Sequence, residues 1–273
     1  MKKTALVSGV LALVFGLSAC GGQSGGDGGN AGPSLFGNTQ ELVRAASAKT
    51  GQAQSAKFTM NMSMGGQEMT ASGEGRFAGS DTAMSMTMNA AGQTQEMRIV
   101  GKVLYLKLPA EAQAATGGKP WATLPEGSEA AKQLGVSMEQ AESNNPTESL
   151  NQIQKAGTIT RGEQTTLDGQ QVSHYWLNID VAKVADEMAG TGMPAEMLDR
   201  LKSMNVTFPM ELWLNSDQLP VQITEDLGPM MKAVGAPAEA QQATIKMKYT
   251  DWGAPVTVEA PPADQVGELK IGG

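Results

Sequence analysis

Sulfur carries most of the chemistry this chain could do: it has 18 methionines and one cysteine but a single histidine. Met60, Met62 and Met64 recur at every second position, as do Met84, Met86 and Met88. In a strand, that spacing turns the thioethers to one face and the intervening Asn, Ser and Thr to the other. A thioether is apolar, unbranched and polarizable, so a face built of them can serve in three ways. It can fill an irregular core, form a deformable lining for a cavity that takes flexible apolar chains, or offer soft ligands to Cu(I). Aromatic residues make up only 4% of the chain, which favours the lining, because a well-specified β-core draws on Val, Ile and Phe. The absence of Cys or His beside the ladders weakens the case for copper.

Acid-base and nucleophilic chemistry is poorly supplied. The sequence has no Gly-x-x-x-x-Gly-Lys phosphate loop, Ser-x-x-Lys pair or His-Glu-x-x-His helix. His174 faces Glu163 across a hairpin, an arrangement expected of a hydrogen-bonded surface histidine more than of a general base. Glu139, Glu142 and Glu148 read as a solvated face. Neither an enzyme nor a bound cofactor is expected.

Cys20 has a separate role. Lys2 and Lys3, an apolar run from Ala5 to Leu17 and then Leu17-Ser18-Ala19-Cys20 form a charged segment, a hydrophobic segment and a small-residue cleavage site ending on the only cysteine. This is the pattern of a bacterial lipoprotein signal. It predicts cleavage before Cys20, a diacylglycerol on its thiol and palmitate-type acyl chains that hold the mature chain to a membrane. Residues 1–19 are then signal peptide and 20–37 a lipidated Gly-rich leash too poor in apolar residues to fold. Residues 38–273 are long enough for one β-rich domain on the extracytoplasmic face of the cell membrane. Loss of residues 1–19 removes two lysines and no acid, taking the net charge from −8 to −10. Such acidity argues against nucleic acid and against adhesion to anionic lipid through a basic patch.

The elements that position the thioethers can be read from the turns. Closing a hairpin at Gly65-Gly66 sets Met62 opposite Met69 and Met60 opposite Ala71. Closing the next at Gly79-Ser80 sets Gly75 opposite Met84 and Gly73 opposite Met86. A loop at Ala91-Gly92 brings Met86 to Met97 and Met84 to Ile99, and Gly101-Lys102 pairs Ile99 with Leu104 and Met97 with Leu106. Every large apolar residue then lies on one side, with Thr59, Asn61, Ser63, Glu68, Thr70, Arg76, Glu96 and Arg98 on the other. The spacing predicts an up-and-down meander with one apolar concave face, with Ala71, Gly73 and Gly75 leaving room for curvature.

Around it the signals alternate. Asn38-Thr-Gln-Glu41 starts a helix carrying Leu42, Val43 and Ala46, expected to stop before Gly51. The stretch holding Trp121 to Pro125 reads as a looser region with short helical pieces from Ser128 to Leu134. Asn145-Pro146 opens a helix that ends at Gly157. Asp168-Gly169 closes a hairpin with Thr165 opposite Val172, Glu163 opposite His174 and Arg161 opposite Trp176. Asp180 caps a helix through Val184 and Met188, and Pro194 opens another. Val206, Phe208, Met210, Leu212 and Leu214 alternate as a strand whose loop at Asn215 to Gln218 is expected to put Leu212 opposite Val221 and Met210 opposite Ile223. Strands at Thr244–Trp252 and Pro255–Glu259 close the chain.

Gly101-Lys-Val-Leu-Tyr-Leu-Lys-Leu-Pro109 followed by Trp121, Gly162-Glu with Leu167-Asp-Gly169 and His174-Tyr175, Glu211-Leu-Trp-Leu-Asn215 with Leu219-Pro220, Tyr249-Thr-Asp-Trp-Gly253 and Pro255-Val-Thr-Val-Glu-Ala-Pro-Pro262 together resemble the LolA-like superfamily, in particular its mycobacterial LppX/LprG-type lipoproteins. The resemblance covers most of the chain beyond Gln40. It implies an α+β fold in which a curved antiparallel sheet, an incomplete barrel, packs over several helices around an apolar cavity, and a role in holding or carrying acylated lipids across the cell envelope. The Met-rich lining and the helical segment around 181–204 depart from that family.

These observations define an expected ligand face of Phe58, Met60, Met62, Met69, Met84, Met86, Met88, Met97, Ile99, Leu104, Leu106, Met210 and Leu212. The leading expectation is a lipoprotein, anchored through Cys20, that binds or carries an apolar or acylated ligand there. Two alternatives stay open at this level: a non-enzymatic lipoprotein with a filled core whose outer face meets a protein partner, and a Cu(I)-binding Met-rich lipoprotein.

Overall fold

Asn38 caps the first helix as the sequence predicts, with extended backbone and its Oδ1 accepting from the Glu41 amide at 2.9 Å. The computed structural model describes residues 35–77, 82–101, 103–125, 146–187 and 195–269. The expected signal, Cys20, nearly all of the Gly-rich segment, the turn at Gly79-Ser80 and the pieces from Ser128 to Leu134 lie outside these residues. Helix α1 (Thr39–Ala53) runs through Gly51 instead of stopping before it, and ends where Gln54 turns left-handed (φ 61°) and donates its amide to the Thr50 carbonyl. One glycine costs a helix only about 1 kcal/mol, less than the closing cap and the buried face of Leu42, Val43, Ala46 and Thr50 return.

Strands β1 (Ser55–Met64), β2 (Gln67–Arg76), β3 (Ala83–Ala90), β4 (Gln93–Val100) and β5 (Val103–Lys107) form the meander. All of its registers are those that the turn residues predict, including Met62 with Met69, Met86 with both Gly73 and Met97, and Ile99 with Leu104. Trp121–Pro125, expected in a looser region, is a sixth strand, β6, with Leu124 opposite Leu104 and Trp121 opposite Lys107. A 3-10 helix, Ala110–Thr116, makes the connection.

The second half begins with α2 (Pro146–Ala156) and continues through β7 (Gly157–Leu167) and β8 (Gln170–Asp180), paired as the Asp168-Gly169 turn dictates. Asp180 Oδ1 accepts from the amides of Ala182 and Lys183 to start α3 (Val181–Glu187). Helix α4 (Ala195–Ser203), β9 (Thr207–Leu214), β10 (Pro220–Asp226), α5 (Gly228–Ala233), β11 (Thr244–Thr250) and β12 (Val266–Glu268) complete the order.

The β9–β10 register differs from expectation by two residues: Leu212 faces Ile223 and Met210 faces Glu225. The cause is local. Asn215 binds Leu219 in both directions, its amide donating to the Leu219 carbonyl and its Oδ1 accepting from the Leu219 amide, so the loop closes late. Pro220 has no amide to give, and Val221 bulges between Pro220 and Gln222.

The strands form a 12-stranded sheet in the order β12-β6-β5-β4-β3-β2-β1-β11-β10-β9-β8-β7, antiparallel throughout except for the β12–β6 pair. It curls without closing, leaving β12 and β7 as edges, and is an α+β incomplete barrel. Pairing of β1 with β11, which sets Met60 against Met247 and Phe58 against Tyr249, joins the two halves. The inner face packs on α1 and α2 through Leu42, Val43, Ala46, Leu150, Ile153 and Ala156. Each such Leu or Ile, taken from water, contributes about 2 kcal/mol.

Residues Pro255–Glu259 are not a strand. They cross the outer face as a strap, where Val256 and Val258 bury Ala83, Arg76 donates to the Val256 carbonyl and Arg98 to that of Glu259. Ala83 and Val100, apolar residues on the mostly polar side of the meander, mark where it lands.

Candidate functional site

Cross-strand pairs arrange the inner face in rows. One row runs Leu212, Ile223, Met247, Met60, Ala71, Met88 across β9, β10, β11, β1, β2 and β3. The next, one pair nearer the hairpin tips, runs Met210, Glu225, Ile245, Met62, Met69. Burial changes sharply between them. Along β1, Met60 is 9% exposed, Met62 is half-buried and Met64 is 46% exposed, although all three point the same way.

The predicted ligand-face residues accordingly divide. Phe58, Met60, Met84, Met86, Ile99, Leu104, Met210 and Leu212 belong to the packed interior beneath α1 and α2. Met88, Met97 and Leu106 lie half-buried against it. Met62 and Met69, directly opposite each other, are half-buried and stand outside the packed core of the described residues. One strand face thus changes from filled core to accessible apolar surface over about two residue pairs, or roughly 13 Å of strand.

Glu225 is the feature that sequence reasoning passed over. It lies on the inner face opposite both Met210 and Ile245, and it makes no hydrogen bond or ion pair with any described residue. Burial pushes its carboxyl from the ordinary 4.5 up to about 7. The neighbouring Tyr249 hydroxyl is held far above its usual value, first by burial and then by the Glu225 charge. The signal was present in the alternation Val221, Ile223, Glu225, which puts a carboxylate in a row of apolar positions.

His174 is not the exposed residue expected from the sequence. It is 6% exposed on the outer face, stacked between Trp213 and Trp176 with ring centroids 4.1 and 3.6 Å away. Its Nε2 lies 2.7 Å from Glu211 Oε2, while Glu163, its register partner, pairs with Arg161. Burial holds the imidazole below its ordinary value, outweighing the hydrogen bond and charge of Glu211. The cluster packs the outer face of β7, β8 and β9. Arg161 covers Trp176 at 4.4 Å and completes it.

The outer face also holds a depression of about 410 Å³, floored by Thr59, Ser72, Ser85 and Thr87 and flanked by Lys57, Glu74 and Lys248. It is on the polar side of the sheet, opposite the thioethers. Lys57 and Lys248 are paired there with Asp251 and Asp168 at 2.9 and 2.7 Å. Among the described residues no group of three or more His, Cys, Asp or Glu is placed to hold a metal, and no helix is long and apolar enough to cross a membrane.

Fold and inner face together define an open antiparallel half-barrel over helices, with an apolar inner side that is packed core over most of its extent and half-buried at Met62 and Met69. The chain is similar to the crystal structure of the lipoprotein LppX from Mycobacterium tuberculosis at 16% identity and a TM-score of 0.48, over 81% of this chain and 98% of that one. It is similar to LprF from Mycobacterium bovis at 13% identity and 0.48, over 82% and 96%, and to the Pseudomonas aeruginosa MucA/MucB complex at 13% and 0.36, over 86% and 61%. No protein-family model and no curated protein sequence matches the chain.

Proposed function

We propose that this chain is a membrane-anchored envelope lipoprotein, tethered through Cys20 on the extracytoplasmic face, whose domain from residue 38 onward binds or carries an apolar or acylated ligand. The signal pattern ending at Cys20 and the Gly-rich leash support the anchoring. The observation that supports the ligand reading is the loss of burial along the inner face, from buried Met60 to half-buried Met62 and Met69 and exposed Met64. An apolar chain laid against that row gains about 0.8 kcal/mol per buried methylene, and unbranched Met adapts to its shape.

Protein with Cys20→Ser, purified from its own host, is expected to carry a mass increment of an amphiphile in native mass spectrometry, lost on delipidation and regained with added lipid. A clean apo mass together with no uptake of a fluorescent fatty acid sinks the reading. The result would instead favour a lipoprotein with a filled core that meets a protein partner. The packing of eight of the expected ligand-face residues beneath α1 and α2 is the observation behind that second reading.

A further inference from the structure

The row Met210, Glu225, Ile245, Met62, Met69, half-buried beyond Met210, contains one charged side chain, and it is the only carboxylate on the inner face of the described strands. Its neighbours in the row offer no oxygen or nitrogen beyond their backbones, and the described residues give its oxygens no donor. Half-buried and without a donor from the described residues, its oxygens are left open to solvent or to a ligand. The outward residues on either side, Thr224 and Asp226, leave it alone in its direction, and Asp226 Oδ1 is engaged with the Gly228 amide.

We propose that Glu225 is the polar anchor of the ligand site, binding the head of an amphiphile that is uncharged and carries a hydroxyl, such as a monoacylglycerol, while its chain lies along Ile245, Met62 and Met69. This rests on the reading of the inner face as a ligand site, and it specifies which ligands that site accepts.

The chemistry selects the head group. With its pKa pushed up to about 7, Glu225 is present in both forms near neutrality. The acid can donate to a hydroxyl oxygen, and the carboxylate can accept from a hydroxyl proton, so an alcohol satisfies either. A carboxylate or phosphate head would place like charge beside it in a poorly solvated site, and one of the two would have to take up a proton. An ammonium head has three donors to satisfy, whereas Met210, Ile245, Met62 and Met69 provide one neighbour after another without an acceptor. Tyr249 on β11 is the one titratable group coupled to Glu225, and burial keeps it neutral. Lys246, also on β11, alternates to the opposite face and does not neutralise the site.

The test uses the mature chain with Cys20→Ser, wild type and Glu225→Gln, at pH 8. A neutral fluorescent reporter, N-phenyl-1-naphthylamine, is displaced by monoolein, oleate or oleylamine, which share one chain and differ only in the head. Wild type is expected to prefer monoolein over both others by at least tenfold. Glu225→Gln is expected to bind oleate at least tenfold better than wild type does, reducing the preference for monoolein over it. Glu225→Met, the side-chain type common in this face, provides the same comparison if the glutamine variant does not fold, with weaker binding of monoolein as well. An oleate-to-monoolein ratio unchanged by either substitution overturns the anchor while leaving an apolar site. Tighter binding of oleylamine than of monoolein overturns the assignment to an uncharged head. Absence of reporter and lipid binding in every protein overturns the ligand site itself.

Discussion

The ring of Phe58 occupies the space that a side chain at Gly73 would need. A Cβ built there would stand 2.5 Å from Phe58 Cζ and 2.3 Å from the Ser85 carbonyl oxygen. The two residues are opposite one another in β1 and β2, so the absent side chain of one strand lets the aromatic ring of the other lie flat on the sheet. Gly73→Ala is therefore expected to lower unfolding free energy by about 1–3 kcal/mol through overpacking, read as a lower urea midpoint. Removing the ring as well relieves only part of this, because Ser85 contributes backbone. A Gly73→Ala variant as stable as wild type would mean that the close approach is not maintained in solution.

Met210 and Met62 separate packed core from accessible apolar surface. Met210 is 0% exposed, and Met210→Ala is expected to cost about 2–5 kcal/mol with little selective effect on ligand uptake in the folded fraction. Met62→Ala and Met69→Ala, at half-buried positions outside the core, are expected to cost under about 1 kcal/mol yet weaken displacement of a fluorescent fatty acid severalfold. Equal stability losses at all three sites would place Met62 and Met69 in the core.

Two titratable groups, buried His174 and half-buried Glu225, make stability depend on pH in opposite senses. Burial holds His174 below its ordinary 6.5, so as pH falls through 6.5 the unfolded chain takes up the proton first and the fold loses stability until the lower native value is passed. Burial raises Glu225 from 4.5 to about 7. Between those values the folded chain keeps a proton that the unfolded chain has released, and stability falls as pH rises across that window. At about 1.4 kcal/mol per pKa unit, Glu225→Gln is expected to add on the order of 3 kcal/mol at pH 8 and little at pH 4. Urea melts of the two proteins at both pH values decide this, and a gain independent of pH would count against it. His174→Gln should likewise flatten the loss below 6.5.

Arg98 connects the strap to the sheet. Its guanidinium lies 4.9 Å from the centre of the Trp121 ring and donates to the Glu259 carbonyl. Arg98→Ala is expected to cost about 1–2 kcal/mol, from one cation–π contact and one charge-assisted hydrogen bond, and to shift Trp fluorescence to the red as Trp121 meets water. An unshifted spectrum would show that the strap covers Trp121 without the arginine.

Much of this architecture was legible because the determinants are local. A two-residue turn fixes a register, and period-two parity fixes a face, so Gly65-Gly66 and Asp168-Gly169 placed Met62 against Met69 and Glu163 against His174 without further information. The caps at Asn38 and Asp180 were equally local. The β9–β10 register failed by two residues because a late loop closure and a bulge at Val221 preserve the faces, leaving parity blind to the shift. Glu225 was on the page in its apolar row; what the row alone lacks is any measure of how thoroughly the residue is enclosed.

Local residue order settles which side of each strand is apolar and, where a two-residue turn closes the hairpin, how the neighbours are aligned, since both depend on residues a few positions apart. It takes the folded chain to bring β11 to β1, to lay the strap across the outer face over Ala83, to bury His174 against two indoles, and to divide the thioethers into packed and accessible sets. These depend on contacts between segments far apart in the chain, which side-chain periodicity cannot specify: it says that a face is apolar, and leaves to the rest of the molecule what comes to lie against it.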